Sequence, residues 1–340
     1  MFPLDRWYVG ALSSELGEHQ LLGRTLLNQK VVMFRDAEGR VAVLEDRCVH
    51  RSLPLSKGQV ENGRVRCGYH GLLFDADGRC VEIPGQAQVP AKACINSYPV
   101  REQDDLVWLW FAKQPGSMPT TEPPRYAVHT DARYEHRGSV FHYDAPWQLI
   151  HDNLLDLTHA GYVHTKTIGG NPRLHSEAPT QVSEAGEAVR VWRALLASQP
   201  PKTFLDAWPF EGLIDRWQEI VFRPSHVTIF AGAVDTGTED ITAPDRGGLH
   251  LPSFHAVTPE TEESCHYLWT VACNHAPGQP SIIDEVYRQF HATFLEDCDV
   301  INAQYRNQQH FAGAPQVDAH MDAAPNRARR LIARLKTATA

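Results

Sequence analysis

The 340-residue chain has no run of about 18 apolar residues, so no segment reads as a membrane-spanning helix. Its opening stretch, MFPLDRWYVG, meets charge at Asp5 and Arg6 and never develops the apolar core of a secretory signal. The expectation is a cytoplasmic protein with no membrane association. Basic residues number 32 against 41 acidic ones, for a formal net charge of -9, so bulk charge gives no reason to expect nucleic acid as a partner. Cysteine is sparse and odd in number: the seven, at positions 48, 67, 80, 94, 265, 273 and 298, do not make the dense disulfide framework of a small secreted module. Internal repeats, low-complexity tracts and a glycine-rich nucleotide-binding signature are also missing. Length is what the chain does have. At this size roughly 75% of the unfolded surface is buried on folding, so neither disulfide nor metal is needed merely to supply a core, and any metal serves another purpose.

Composition changes along the chain in a way that divides it. In the first hundred residues, KVVMFRDAEGRVAVLEDRCVH and GRVRCGYHGLLFDADGRCVEIPG set short β-prone runs around compact turns at 36–39 and 75–78. Residues 1–114 are expected to form a small β domain. Pro115, Pro119, Pro123 and Pro124 remove backbone donors and disfavour helix or central strand, which makes 115–126 the expected connection. Residues 127–340 are expected to form a second domain. There WQLIHDNLLDLTHAGYVH, residues 147–164, has helical periodicity, with Leu149, Asn153, Asp156 and Ala160 near one stripe and Gly161 as a stop or distortion. The runs AVRVWRALL, DRWQEIVFR, HVTIFAGAV and SCHYLWTVAC predict strands of a sizeable antiparallel sheet. Residues 281–310 predict a long helix capped at Ser281, and the stretch from Ala328 a shorter terminal one. The expected fold class is α+β.

Two groups of residues carry chemistry. Cys48 and His50 are followed, after 16 residues, by Cys67 and His70, in the pattern C-x-H-x16-C-x2-H. Each short pair mixes one cysteine with one histidine beside a tight turn. A Rieske [2Fe-2S] cluster needs two cysteines on one iron and two histidines on the other, which this mixed pairing matches; a mononuclear zinc site is the alternative. Cys80 and Cys94 read as buried or inert side chains, with a disulfide as their alternative. The second group lies in NLLDLTHAGYVH, residues 153–164, where His159 and His164 offer two imidazoles, and in FLEDCDVINAQ, where Asp297 and its neighbour Glu296 each offer a carboxylate. Two histidines and one carboxylate suit a non-haem Fe(II) that activates oxygen; a helix-end polar pair is the other reading. Five residues apart, the histidines would point about 140° apart on an unbroken helix, so a break near Gly161 is expected to bring them together.

The cluster stretch EDRCVHRSLPLSKGQVENGRVRCGYHGLLFDADGRCVEIPG and the NLLDLTHAGYVH stretch together resemble Rieske non-haem iron oxygenases. WYVGAL and AVTPETEESCHYLW extend the resemblance over nearly the whole chain, to the branch of vanillate and dicamba O-demethylases and toluenesulfonate methyl-monooxygenase. The resemblance implies a Rieske β domain joined to a helix-grip catalytic domain. Cys48, His50, Cys67 and His70 would hold the cluster. His159, His164 and Asp297 would hold a mononuclear Fe(II), and Asp156 would hydrogen-bond His159 and, across a subunit boundary in a homotrimer, the cluster ligand His70. Asn153 is expected to make a hydrogen bond near the iron. His255 is expected to face substrate, with a satisfied structural histidine between strands as its alternative, and Ile229, Phe230 and Trp269 to wall an aromatic ring, with core packing as theirs.

The function implied is that of a terminal oxygenase, using O2 and electrons drawn from NADH by a separate reductase of the flavin and ferredoxin-type [2Fe-2S] kind. The expected reaction is O-demethylation of a methoxylated aromatic acid. Hydroxylation of an aromatic methyl group, ring cis-dihydroxylation and a non-enzymatic Rieske electron carrier are the alternatives.

Overall fold

The computed structural model describes residues 2–276 and 278–338. By internal packing the chain falls into two units, one running to Arg125 and including Thr258–Glu262, the other made of Tyr126–Val257 and the residues from Glu263 onward.

The first unit is built from short antiparallel strands: β1 (Arg6–Leu12), β2 (Leu22–Leu26), β3 (Gln29–Arg35), β4 (Val41–Glu45), β5 (Gln59–Glu61), β6 (Arg64–Arg66), β7 (Leu73–Phe74), β8 (Cys80–Glu82), β9 (Val100–Gln103) and β10 (Leu106–Phe111). They form three sheets, ordered β1-β10-β9, β2-β3-β4 and β5-β6-β7-β8. The two expected turns share one construction. Asp36 and Asp75 each accept a bond from the glycine three residues on, Gly39 or Gly78, both in the left-handed region, while their carboxylates accept from the amides two and four residues ahead. The proline-bearing stretch has no helix or strand, yet it does not hang free. Thr121 O accepts from Trp7 Nε1, Pro123 O and Pro124 O accept from Gln103, and Arg125 pairs with the buried carboxylate of Asp104, so these residues group with the first unit.

The second unit contains β11 (Glu135–Tyr143), α1 (Trp147–Leu155), α2 (Ala160–Val163), α3 (Pro172–Glu177), β12 (Thr180–Ala185), β13 (Ala188–Ser198), α4 (Lys202–Ala207), β14 (Ile214–Arg223), β15 (His226–Asp235), β16 (Leu249–Pro259), β17 (Cys265–Cys273), α5 (Ile283–His310) and α6 (Ala323–Ala338). Its seven-stranded antiparallel sheet is ordered β11-β17-β16-β15-β14-β13-β12 and grips the long α5, which packs on β11 and β17. The fold is α+β, with a helix-grip second domain. Three local expectations are corrected. The helix expected over 147–164 breaks at Asp156, whose backbone is extended, whereas Gly161 is helical; a Cβ there would lie 2.4 Å from Pro172 Cα, so Gly161 serves a close approach of α3. Helix α5 starts at Ile283 with Ile282 in the cap position, while the Ser281 hydroxyl donates to Glu135 and accepts a long bond, 3.4 Å, from Ile283 N–H. Helix α6 starts at Ala323, five residues early, because Pro325 fits a first helical turn where no intrahelical amide bond is due. No helix among the described residues is long and apolar enough to cross a membrane.

Candidate functional site

Two loops of the first unit are built alike. Cys48 N–H donates to Leu53 O at 2.9 Å and Ser52 N–H to Cys48 O at 2.9 Å; Cys67 N–H donates to Leu72 O at 2.8 Å and Gly71 N–H to Cys67 O at 3.1 Å. The fourth residue after each cysteine has positive φ, 58° at Ser52 and 72° at Gly71, which turns the chain back sharply. Both thiols are thereby buried side by side. Burial pushes the Cys48 thiol up to about 11 against amide bonds from His50 and Arg51, while the adjacent Cys67 adds to the rise. The two histidines end up exposed, with His50 Nδ1 and His70 Nδ1 3.1 Å apart. Two sulfurs inside and two imidazole nitrogens outside fit a [2Fe-2S] group held by one pair on each iron. A single tetrahedral zinc fits poorly, since no three of these donor atoms lie within 4.8 Å of one another. Cys80 and Cys94 are unbridged, Cys80 buried and Cys94 exposed.

The second unit brings together residues far apart in sequence. The break at Asp156 lets a 3-10 turn over Leu157–His159 and then α2 change direction, so His159 and His164 converge with ring centroids 5.2 Å apart. Asp297, on α5, places Oδ1 3.4 Å from His159 Nε2 and 3.2 Å from His164 Nε2, and these three residues form a cluster of metal-ligating type. Each ring's other nitrogen is already held: His159 Nδ1–H donates to the main-chain carbonyl of Asp156 at 2.6 Å, and His164 Nδ1–H to Glu296 Oε2 at 2.8 Å. Both imidazoles therefore point Nε2 at a common position beside Asp297 Oδ1, and on giving up their Nε2 protons they would offer the donor set of a divalent iron. Asn153 Nδ2 donates to Asp297 Oδ1 at 3.0 Å. Burial pushes the Asp297 carboxyl up, but the two histidines outweigh it and hold the carboxyl well below the usual carboxylate range. Burial lowers His164, and its bonds to Asp297 and Glu296 more than restore it.

One detail differs from expectation. The Asp156 group that meets His159 is the backbone carbonyl; its carboxylate instead caps the 3-10 turn by accepting from Thr158 N–H at 2.9 Å. Glu296, weighed in the sequence as a rival ligand, faces the back of the His164 ring, because neighbouring residues on a helix point about 100° apart.

A mostly apolar cavity opens beside this cluster, lined among others by Ile229, Ala231, Ser253, His255, Phe290 and Phe294. His255 is fully buried, and burial lowers its imidazole to about 3. Both of its nitrogens are engaged, Nδ1 with Tyr267 OH at 2.7 Å and Nε2 with Ser253 Oγ at 2.8 Å. Tyr267 has no other acceptor among the described residues, so its O–H donates to Nδ1, the ring proton sits on Nε2 and donates to Ser253 Oγ, and the serine O–H remains to be used. Two expected wall residues fall elsewhere. Phe230 belongs to the opposite face of β15, packed against Trp217, His250 and Arg246, since successive strand residues alternate between faces. Trp269 stands away from the cavity, behind Phe294 and stacked on Tyr287. Arg216 and Gln218 of β14 line the cavity and were not singled out in the sequence. The signal was there: Ile214, Arg216, Gln218, Ile220 and Phe222 share one buried strand face, and a charge in such a row is unusual.

Residues 6–99 match the Rieske [2Fe-2S] domain family, and residues 143–338 match the vanillate O-demethylase oxygenase C-terminal domain family. The chain is 36% identical to the toluene-4-sulfonate monooxygenase iron-sulfur subunit of Comamonas testosteroni, covering 98% of this chain and 97% of that one. It is 33% identical to a vanillate O-demethylase oxygenase subunit from a Pseudomonas strain, over 99% and 96% of the two chains. Crystal structures of dicamba monooxygenase superpose on it, one bound to dicamba with a TM-score of 0.88 and 32% identity, and one with non-haem iron and dicamba at 0.81 and 30%; both cover 99% of this chain and 98% of the other.

Proposed function

The chain belongs to the Rieske oxygenase components with a vanillate O-demethylase type catalytic domain, and from that premise we propose that it oxidises the methyl group of a methoxylated aromatic acid. It is an enzyme, the oxygenase component of a system whose electrons come from a separate reductase, and its cofactors are a Rieske [2Fe-2S] cluster and a mononuclear iron. When bound, the cluster supplies electrons singly and the iron activates O2.

The observation that carries the proposal is the meeting of His159, His164 and Asp297 at the wall of a mostly apolar cavity wide enough to be lined by three strands and α5. We assign these three as the iron ligands, and Cys48, His50, Cys67 and His70 as the cluster ligands. Asp156 O and Glu296 hold the Nδ1–H groups and so orient the imidazoles with Nε2 toward Asp297; Asn153 steadies Asp297. The reaction consumes one O2, two electrons and two protons. One oxygen atom enters a methyl C–H bond and the other leaves as water, after which the hemiacetal collapses to a phenol and formaldehyde. Hydroxylation of a ring methyl group, ending at the hydroxymethyl product, is the second reading, favoured by the 36% identity to a toluene-4-sulfonate monooxygenase subunit.

We further propose a cytoplasmic homotrimer served by an NADH-dependent reductase containing flavin and a ferredoxin-type cluster. In it, the partly exposed Asp156 carboxylate bridges to His70 of the partner subunit, consistent with the solvent exposure of His70. The test is oxygen uptake by iron-reconstituted protein with NADH and a compatible reductase, across methoxy- and methyl-substituted aromatic acids. Formaldehyde equal to the phenol formed supports demethylation; a hydroxymethyl product without formaldehyde supports the second reading; uptake without either product refutes both.

A further inference from the structure

Arg216 is 3% exposed, on the inward row of β14. A guanidinium carries five N–H donors. Among the described residues one of them finds an acceptor, Nη2 on Ile168 O at 3.2 Å, while Nε is buried without a partner. The ring of Phe204 lies 4.5 Å beneath the guanidinium, a contact that offsets only part of the desolvation of a buried cation. The charge felt most strongly by Arg216 is that of a second buried cation, Arg193. Burial, and then Arg193, lowers Arg216 to about 10, so it stays protonated at neutral pH.

The surroundings point the same way. Arg193 donates to Gln218 Oε1 at 3.0 Å, which fixes the amide and leaves the Gln218 Nε2–H groups as donors in the same cavity wall. Among the described residues Asp297 is the one carboxylate lining the cavity, and its charge is taken up by His159 and His164 and by any iron they hold. The cavity is left with a net positive charge in a setting of low dielectric, where an unmatched charge is most costly and a matching one most favourable.

We propose that Arg216, with the Gln218 amide beside it, is the anchor for the anionic group of the substrate, an oxyanion carried on an aromatic ring as carboxylate or sulfonate. This deepens the oxygenase reading and rests on it for the identity of the reacting end, but it concerns binding alone. Arg216 is thereby a specificity-determining residue: it selects acids over neutral ring compounds of equal size.

The experiment is calorimetric titration of the iron-loaded protein, anaerobic and without reductase, with 4-methoxybenzoate, toluene-4-sulfonate and neutral 4-methoxybenzamide. Wild type, R216Q and R216K are compared, with thermal melts run alongside. The expected result is that at least one of the two anions binds wild type more tightly than the amide. R216Q should lose about 30-fold or more of that affinity with amide affinity unchanged, and R216K should fall between. The anion preferred by wild type tells carboxylate from sulfonate. Equal loss of anion and amide affinity in R216Q and R216K, or a binding profile unchanged from wild type, overturns the proposal and leaves Arg216 as a support for the Ile168 carbonyl. So does a wild type that binds neither anion. Anion binding that depends on Arg216, without turnover once reductase is added, would sink the oxygenase reading and leave the anchor standing.

Discussion

Glu296 and Asp297 are adjacent carboxylates with opposite expected tasks, and removing each in turn separates a ligand from a residue that only orients one. Glu296→Ala deletes the acceptor of the His164 Nδ1–H bond, 2.8 Å long. A hydrogen bond to a charged group contributes about 1.5–3 kcal/mol. The Glu296 side chain is 38% exposed, so solvent screens part of that. A loss of about 1–2 kcal/mol is left, or about 5–30-fold in iron affinity, near the lower end of what such partners of metal ligands contribute. Asp297→Ala removes a donor atom and its charge from a site with only two other donors, and leaves Asn153 Nδ2 without its acceptor; iron should fall to background. Affinity is read by anaerobic competition for Fe(II) with a chromophoric chelator. The visible absorption of the Rieske cluster, held in the other unit, counts folded chains in each sample. Glu296→Gln keeps an acceptor oxygen and should recover most of the loss. If Glu296→Ala empties the site as fully as Asp297→Ala, or if Asp297→Ala keeps its iron, the ligand assignment is wrong.

Asp156→Asn should fold normally, because asparagine caps as well as aspartate and the His159 bond goes to the main-chain carbonyl. Both metals should bind, while reoxidation of the reduced cluster on mixing with O2 and substrate slows; unchanged rapid-mixing kinetics would remove the proposed bridge. His151 is buried with neither ring nitrogen partnered among the described residues, and burial lowers it to about 3. Below its ordinary value of about 6.5 the unfolded chain takes up a proton that the folded chain refuses, so stability falls on acidification, by about 1 kcal/mol at pH 5.5 relative to pH 7.5. His151→Phe should flatten that dependence in thermal melts, and an identical pH slope in the variant would contradict it.

Much of the first metal group was legible because it is local. A cysteine, a histidine two or three residues on, and a turn residue in the left-handed region at the fourth position are all properties of short segments, and Ser52 and Gly71 show the two loops closing by the same pair of backbone bonds. Strand character was equally readable along β13, β14, β15 and β17, though not along β16. Which face of a strand a residue takes, however, depends on register against its neighbours, and a shift of one residue moves a side chain across the sheet. Ile229 lines the cavity and Phe230 does not for that reason alone.

By itself, then, the sequence determined the α+β class, the paired cysteine and histidine loops, and the membership of His159, His164 and Asp297 in one set through resemblance to a family. The tertiary structure decided what lies beyond the reach of a local pattern. It set the break at Asp156 that aims the two histidines, and it brought Glu296 to His164 across 132 positions of sequence. It moved Thr258–Glu262 into the first unit. It also left a buried guanidinium at Arg216 facing the cavity, with one bond to a carbonyl among the described residues. Each of these follows from packing between segments distant in sequence, where burial and hydrogen-bond matching are settled by the folded chain as a whole.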